Sequence, residues 1–240
     1  MTVSQQTLTA AQELMRATEL WAALVGAMFG GLIGLLGQLV ALSAARRDRK
    51  EQRKNVERAL ATSLLLKVTR IVANVLHIQN HIEESVARAA TESVSGELWQ
   101  ALWPIANPPE AINLTSDEMA LVLSSKDRIV FNAVLSMDTE HNGLLATLRL
   151  YSDYRRDLLA RLPAPQDLRG ASVGTSKLSL KEKLALQPAI DEVASLAEQL
   201  RSDAKRNAHE FRHALSALQT LLKKQLNLGY ELFISVNRRT

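Results

Sequence analysis

The motif HEFRH, His209 to His213, is the sharpest candidate for chemistry in the sequence. On a helix, two histidines four residues apart share one face and can bind one zinc ion, while the glutamate between them activates a metal-bound water. A third ligand would be needed, and Glu231 follows at a conceivable spacing. The motif raises the hypothesis of a zinc-dependent hydrolase with His209 and His213 as ligands.

Two features of this motif argue against a metal site. By helical geometry both histidines point about 160° away from Phe211, a residue of the apolar face, so we expect them on the solvent side. A catalytic metal requires a dry, shaped cavity, and the cation of Arg212 would repel Zn²⁺. We therefore expect surface histidines, no resident metal or other cofactor, and no enzymatic activity.

The other residues and motifs that could carry chemistry give weaker evidence of an active site than HEFRH does. His77 and His81 have the same spacing as the first pair, but their helix brings no third ligand apart from Glu83 and Glu84, and we interpret them as an exposed pair. His141 lies on an apolar stripe and is interpreted as a hydrogen-bonded core histidine. The chain has no cysteine, which excludes disulfides, thiolate metal sites and a cysteine nucleophile. Gly-rich phosphate loops and GxSxG are also missing.

The elements that carry these residues are predicted to be helices. The chain has 240 residues with only 4% aromatics, and its apolar residues recur three and four positions apart, which predicts an all-α fold. Three long amphipathic helices joined by short connectors predict an elongated helical bundle or coiled-coil-like body. The expected core residues of the first are Leu64, Leu65, Val68, Ile71, Val72, Val75, Leu76, Ile78, Ile82 and Val86.

The second long helix is expected from about Lys126 to Leu162 and the third from Ser179, capped by Glu182, to Gly229. Pro188 should kink the third helix or restart it. Thr115 and Glu118 form a capping box that predicts a short helix, and Trp99 and Trp103 are expected to anchor the core. The expected core residues are Val130, Val134, Met137, His141, Leu144, Leu148, Tyr151 and Leu158 in the second long helix and Val193, Leu196, Leu200, Phe211, Leu215, Leu218 and Leu222 in the third.

A run without any ionisable group extends from Leu20 to Ala45. Its length exceeds the roughly 20 residues that a helix needs to cross a bilayer. A cleaved signal peptide is the alternative, but such a signal has a basic start and a shorter apolar core. The sequence therefore predicts a single transmembrane helix that continues into the cytosolic helical body.

Small residues of this run fall on one side of the helix. At about 100° per residue they all lie within about 40° of Gly30, whereas Trp21, Met28 and Leu39 lie opposite. Close approach of two backbones along such a groove stabilises helix pairs in membranes, so we predict a packing seam. Gln38 at its margin could add an interhelical hydrogen bond. The seam residues are Ala23, Gly26, Gly30, Gly34, Gly37, Ala41 and Ala44.

The net charge of +4 comes from the stretch that follows the apolar run, residues 46–58. A basic cluster at the end of a membrane helix sets topology, whereas nucleic-acid binding requires a basic stripe on a folded face, so no nucleic-acid partner is predicted. The amino terminus should lie outside and the bulk in the cytosol, at a plasma or bacterial inner membrane. The residues expected to contact anionic lipid are Arg46, Arg47, Arg49, Lys50, Arg53 and Lys54.

The sequence thus predicts a membrane-anchored interaction protein that forms a homo-oligomer or binds a membrane-protein partner through the seam. The alternative is a subunit of an oligomeric pore or effector, and the zinc hydrolase comes third. The predicted regions are an extracytoplasmic segment (1–19), a transmembrane helix (20–45), a basic juxtamembrane stretch (46–58), a cytosolic helical region (59–162), a linker (163–178) and a long helix with its tail (179–240).

Overall fold

The structure is a computed structural model and describes residues 3–91, 96–163, 167–169, 173–175 and 178–226. Within the first helix, side chains are described from position 34 onward and at positions 21, 26, 28, 30 and 31. The protein is helical, with one long apolar helix at its N-terminus, as the all-α prediction requires. One small hairpin is the exception among the described residues.

Five helices and two short strands follow one another in the described chain. They are α1 (Val3–Thr91), α2 (Leu98–Ala101), α3 (Ser116–Ser124), α4 (Arg128–Arg161), β1 (Asp167–Arg169), β2 (Val173–Thr175) and α5 (Leu180–Leu226). The strands pair antiparallel, with Leu168 opposite Gly174. The chain divides into two compact units, Met1–Val56 and Glu57–Thr240.

The core of the second unit is formed by the apolar faces that the periodicity predicts. All eight residues predicted for α4 are buried, including His141. The predicted faces of α1 and α5 are also buried, except that Val86 and Leu196 keep partial exposure. Apolar side chains of α2 and α3, such as Trp99 and Val122, complete this core. Burial of one broad face per helix supplies the main driving force for such an assembly.

Side-chain caps fix where the helices begin. At α3 the Thr115 hydroxyl accepts from the backbone N–H of Glu118, and the Glu118 carboxylate accepts in return, which confirms the predicted capping box. Ser179 and Glu182 make the same exchange before α5. The second long helix begins at Arg128 because Asp127 caps it and Lys126 has a φ of 61°, which the helix cannot contain.

Two local predictions need correction, and one falls outside the described residues. Helix α5 passes through Pro188 without a break, which excludes the restart expected there. Trp103 is not a core anchor, because 38% of it is exposed and the Arg88 guanidinium lies 5.3 Å from its ring centroid. The hairpin β1–β2 occupies the segment predicted as a linker. The expected closing residue Gly229 lies outside the described residues.

Candidate functional site

The HEFRH motif lies on the outer surface of α5. His209 and His213 are exposed while Phe211 is buried, as the helical geometry predicts. The two Nε2 atoms are 3.3 Å apart, and the imidazole rings meet edge to face. Within the described residues no group of three or more His, Cys, Asp or Glu side chains is placed to hold a metal ion. Glu231, the conceivable third ligand, lies outside the described residues.

The second histidine pair is divided between two environments. His77 is exposed, whereas His81 is partly buried and its Nε2 lies 2.8 Å from the carbonyl oxygen of Trp103. This contact ties α1 to the segment after α2. The role of His81 in the structure is therefore the attachment of one backbone segment to another.

The predicted seam is an open face of α1 within the first unit. Among the described residues, and leaving aside the adjoining backbone of α1, a Cβ atom added at Gly26, Gly30, Gly34 or Gly37 would meet no atom within 4 Å. Ala41 and Ala44 are exposed, and the side chain of Ala23 lies outside the described part of the helix. On the side opposite the seam, Trp21, Met28 and Leu39 are also exposed. In this first unit, both sides of the apolar helix are thus available to an external partner.

The basic residues that follow the apolar run are exposed as well. All six side chains extend from α1 into solvent, and they are those of Arg46, Arg47, Arg49, Lys50, Arg53 and Lys54. Arg47 Nε lies 3.8 Å from Glu51 Oε1 one turn later, with both side chains mostly in solvent. Such an exposed pair contributes little to stability. The cations therefore remain accessible to anions outside the chain.

By length and composition, the segment Gly34–Thr91 of α1 is apolar enough to cross a membrane, and it is the one candidate of this kind among the residues searched. No protein-family model, curated protein or solved structure matches the chain.

A buried carboxylate connects α3 to α1. Glu118 is 2% exposed and accepts hydrogen bonds from Ser63 Oγ at 2.7 Å, Lys67 Nζ at 2.8 Å and the backbone N–H of Thr115 at 2.7 Å. Desolvation by burial acts to raise the pKa of Glu118, but the hydrogen bonds from Lys67, Thr115 and Ser63 together hold it below the usual value. The charged form is therefore the one that holds these elements together.

A second polar contact joins α4 to α5. Asn207 is buried, and in the amide orientation that satisfies both atoms it donates to Glu140 Oε2 at 2.8 Å. Arg206 lies 2.9 Å from Asp203 and 3.9 Å from Glu140. Burial raises the pKa of Glu140, Arg206 opposes this effect, and the nearby Glu210 and Asp203 add to it. These contacts join the facing sides of α4 and α5.

His141 is a core histidine, as predicted, and joins α4 to α1. It is fully buried, its Nε2 lies 3.3 Å from Asn74 Nδ2, and its Nδ1 has no hydrogen-bond partner within the part of the chain that the structure describes. Burial lowers the pKa of His141, whereas Asn142 and the negative charge of Asp138 oppose this shift. The neutral imidazole with Nε2 as acceptor fits the contact with Asn74.

We expect the burial of His141 to make the fold sensitive to acid. In the unfolded chain His141 binds a proton near its ordinary pKa of 6.5, whereas in the folded chain burial lowers the pKa of His141 below this value. The contribution of His141 to the free energy of unfolding is therefore complete above pH 6.5. It is lost as the pH falls below that value, by up to about 1.4 kcal/mol per pH unit. Thermal unfolding in mild detergent at pH 7.5 and 5.5 measures the difference.

The matched variants are His141→Leu and His77→Ala. His141→Leu should lose less stability between the two pH values than the unchanged chain, while the exposed control His77→Ala should follow the unchanged chain. Equal losses in all three proteins would contradict the assignment of the acid sensitivity to His141.

Sequence reasoning missed the contacts of Glu118 and Glu140 with their partners. Glu118 was predicted only as a capping residue, because its local spacing from Thr115 gives that signal. Its bonds to Ser63 and Lys67 span more than fifty residues of chain, and no periodicity marks such a pair. A charged residue on the inward face of a short helix was the one signal that could have indicated it.

Proposed function

We propose that the chain is a single-pass membrane protein of the interaction or scaffold type, without enzymatic activity. The run from Leu20 to Ala45 would cross a plasma membrane or a bacterial inner membrane. The amino terminus would lie outside and the helical bundle in the cytosol. The excess of Lys and Arg after this run supports that orientation, because basic residues near a membrane helix remain on the cytosolic side. The bundle would present its surface to partners close to the membrane.

The observation that carries this proposal is the open stripe of small residues on α1. Bilayer lipid is as apolar as leucine, so helices associate in membranes through close packing of backbones and weak polar contacts. At Gly30 and Gly34 an added Cβ would meet no atom of the described residues within 4 Å, apart from the adjoining backbone of α1 itself. A second helix could approach this face closely, whether from another copy of the chain or from a membrane-protein partner.

The cations after the span support membrane attachment in a second way. Each Lys or Arg near an anionic bilayer contributes on the order of 1 kcal/mol to binding. The six residues predicted for this contact, from Arg46 to Lys54, are exposed. They would lie against the headgroups of the cytosolic leaflet and hold α1 at a defined depth.

We expect the double variant Gly30→Leu with Gly34→Leu to reduce self-association in lipid nanodiscs to the level of chance co-encapsulation. Leucine side chains would fill the groove and separate the two backbones. Single-molecule photobleaching of the labelled full chain counts the copies in each disc. The control Leu39→Phe adds bulk on the opposite side of α1 and should leave the count unchanged.

Two results would contradict this proposal. If the glycine variants formed the same oligomers as the unchanged chain, the seam would not be the association surface. If the unchanged chain were monomeric at every protein-to-lipid ratio and captured no membrane protein from native membranes, the seam would serve no association. Dye leakage from vesicles that contain the chain would favour the pore alternative.

A further inference from the structure

The part of α1 after the apolar run contacts nothing else in the first unit. Residues 46–56 are helical and every one of them is exposed. Because these side chains are exposed, packing within the unit does not determine where the charged residues lie around the helix axis. The distribution of these charges around the axis can therefore report which side faces an external partner.

The charges are nevertheless divided sharply between two sides. Counted at about 100° per residue from Gly30, the six cations lie about 100° or more from the seam. Four residues lie within about 60° of the seam, and none of them is basic. We call these four the acidic–amide face, and they are Asp48, Glu51, Gln52 and Asn55.

The acidic–amide face continues the seam with the spacing of a coiled coil. From Gly34 to Asn55 the residues on this line are separated alternately by three and four positions. This spacing is a heptad repeat, in which the helix is slightly underwound so that one line of residues stays in contact with a neighbouring helix. The members of the line are Gly34, Gly37, Ala41, Ala44, Asp48, Glu51 and Asn55.

The flanking charges suit a second copy of the same chain. Arg47 and Lys54 immediately precede the line positions Asp48 and Asn55, where residues of a two-stranded coiled coil form salt bridges to the partner helix. In a parallel pair Arg47 would flank Asp48 of the second copy, because the residue before each core position of this kind packs beside the equivalent core position of the partner helix. A polar residue such as Asn55 at the centre of a pair fixes its register.

We propose that two copies of the chain pair in parallel along the acidic–amide face, as a direct continuation of the membrane seam. This inference rests on the proposed function, because the seam brings the two helices together. Each Asp48 faces the Asp48 of the other copy, and the Arg47 side chains at the margin of the pair offset the repulsion between them, while the remaining cations point outward to the lipid headgroups. Pairing and lipid contact thus use opposite sides of one helix.

The chain has no native cysteine, so single cysteines can map the face directly. Three variants of the full chain in nanodiscs suffice: Ala44→Cys in the seam, Asn55→Cys on the acidic–amide face and Arg53→Cys on the cationic side. A disulfide requires Cβ atoms about 4 Å apart, which only the facing positions of a pair reach. With a mild oxidant, Asn55→Cys should give at least about fivefold more linked dimer than Arg53→Cys.

The three yields of disulfide-linked dimer distinguish pairing along the acidic–amide face from pairing through the membrane seam, on which it rests. High yields for Ala44→Cys and Asn55→Cys with a low yield for Arg53→Cys would support pairing along the whole line. A high yield at Ala44→Cys, with Asn55→Cys no better than Arg53→Cys, would overturn the extension and leave the seam intact. Low yields at all three positions would overturn both.

Discussion

Replacement of Phe211 by alanine is expected to destabilise the helical bundle by about 3–5 kcal/mol. Phe211 is 2% exposed and is among the largest fully buried side chains described, together with Tyr151 and Leu218. Alanine would remove most of the ring and leave a cavity that rigid helices fill only in part. Chemical denaturation of the full chain in detergent, followed by tryptophan fluorescence, measures the change.

The neighbouring histidines supply matched controls. His209→Ala and His213→Ala change exposed residues on the other side of the same helix, and surface substitutions usually alter stability by less than about 0.5 kcal/mol. A loss at either histidine as large as that at Phe211 would contradict the assignment of the HEFRH motif to a solvent face.

Replacement of Glu118 by alanine is expected to cost about 2–3 kcal/mol, because it leaves Ser63 and Lys67 without their buried acceptor. The estimate lies below that for a fully buried pair because 29% of the Lys67 side chain is exposed. The control is Asp117→Ala, an exposed acid in the same first turn of α3. Thermal unfolding of the two variants at neutral pH gives the comparison.

The pH dependence supplies an independent check on Glu118. Its pKa is held below the ordinary value of 4.5 in the folded chain, so the stability that it contributes is complete above that value and is lost as the pH falls through the folded pKa. The difference between the unchanged chain and Glu118→Ala should therefore shrink in acid. A constant difference at neutral and acidic pH would show that the charge of Glu118 does not hold α3 to α1.

The secondary structure of this chain could be predicted well because its signals are local. Apolar spacing identified the buried faces of α1, α4 and α5, and the pairs Thr115–Glu118 and Ser179–Glu182 identified two helix starts. The restart predicted at Pro188 was wrong because the local penalty of proline is outweighed when the helix continues for many residues and packs through its later turns. The exposure of Trp103 was missed because a large aromatic side chain gives the same signal in a core and against a surface cation.

The contacts between distant elements were beyond the reach of sequence patterns. The bonds of Glu118 to α1, of His141 to Asn74 and of Glu140 to Asn207 each depend on the register of two helices. Register is decided by the packing of whole faces, and one sequence supplies no measure of it. The seam could be predicted from the sequence because all its members lie on a single helix, where angular position follows from residue number alone, and its role as a packing surface stays a prediction.

The short helices α2 and α3 have a consequence for how the bundle opens. With four and nine residues, neither can persist in water alone. Each depends on a few side chains of the long helices, such as the Tyr151 hydroxyl, which lies 2.7 Å from the carbonyl oxygen of Leu102. Residues 96–124 therefore depend on the long helices for their structure, and we expect their backbone amides to exchange with solvent sooner than those in the middle of α4 and α5.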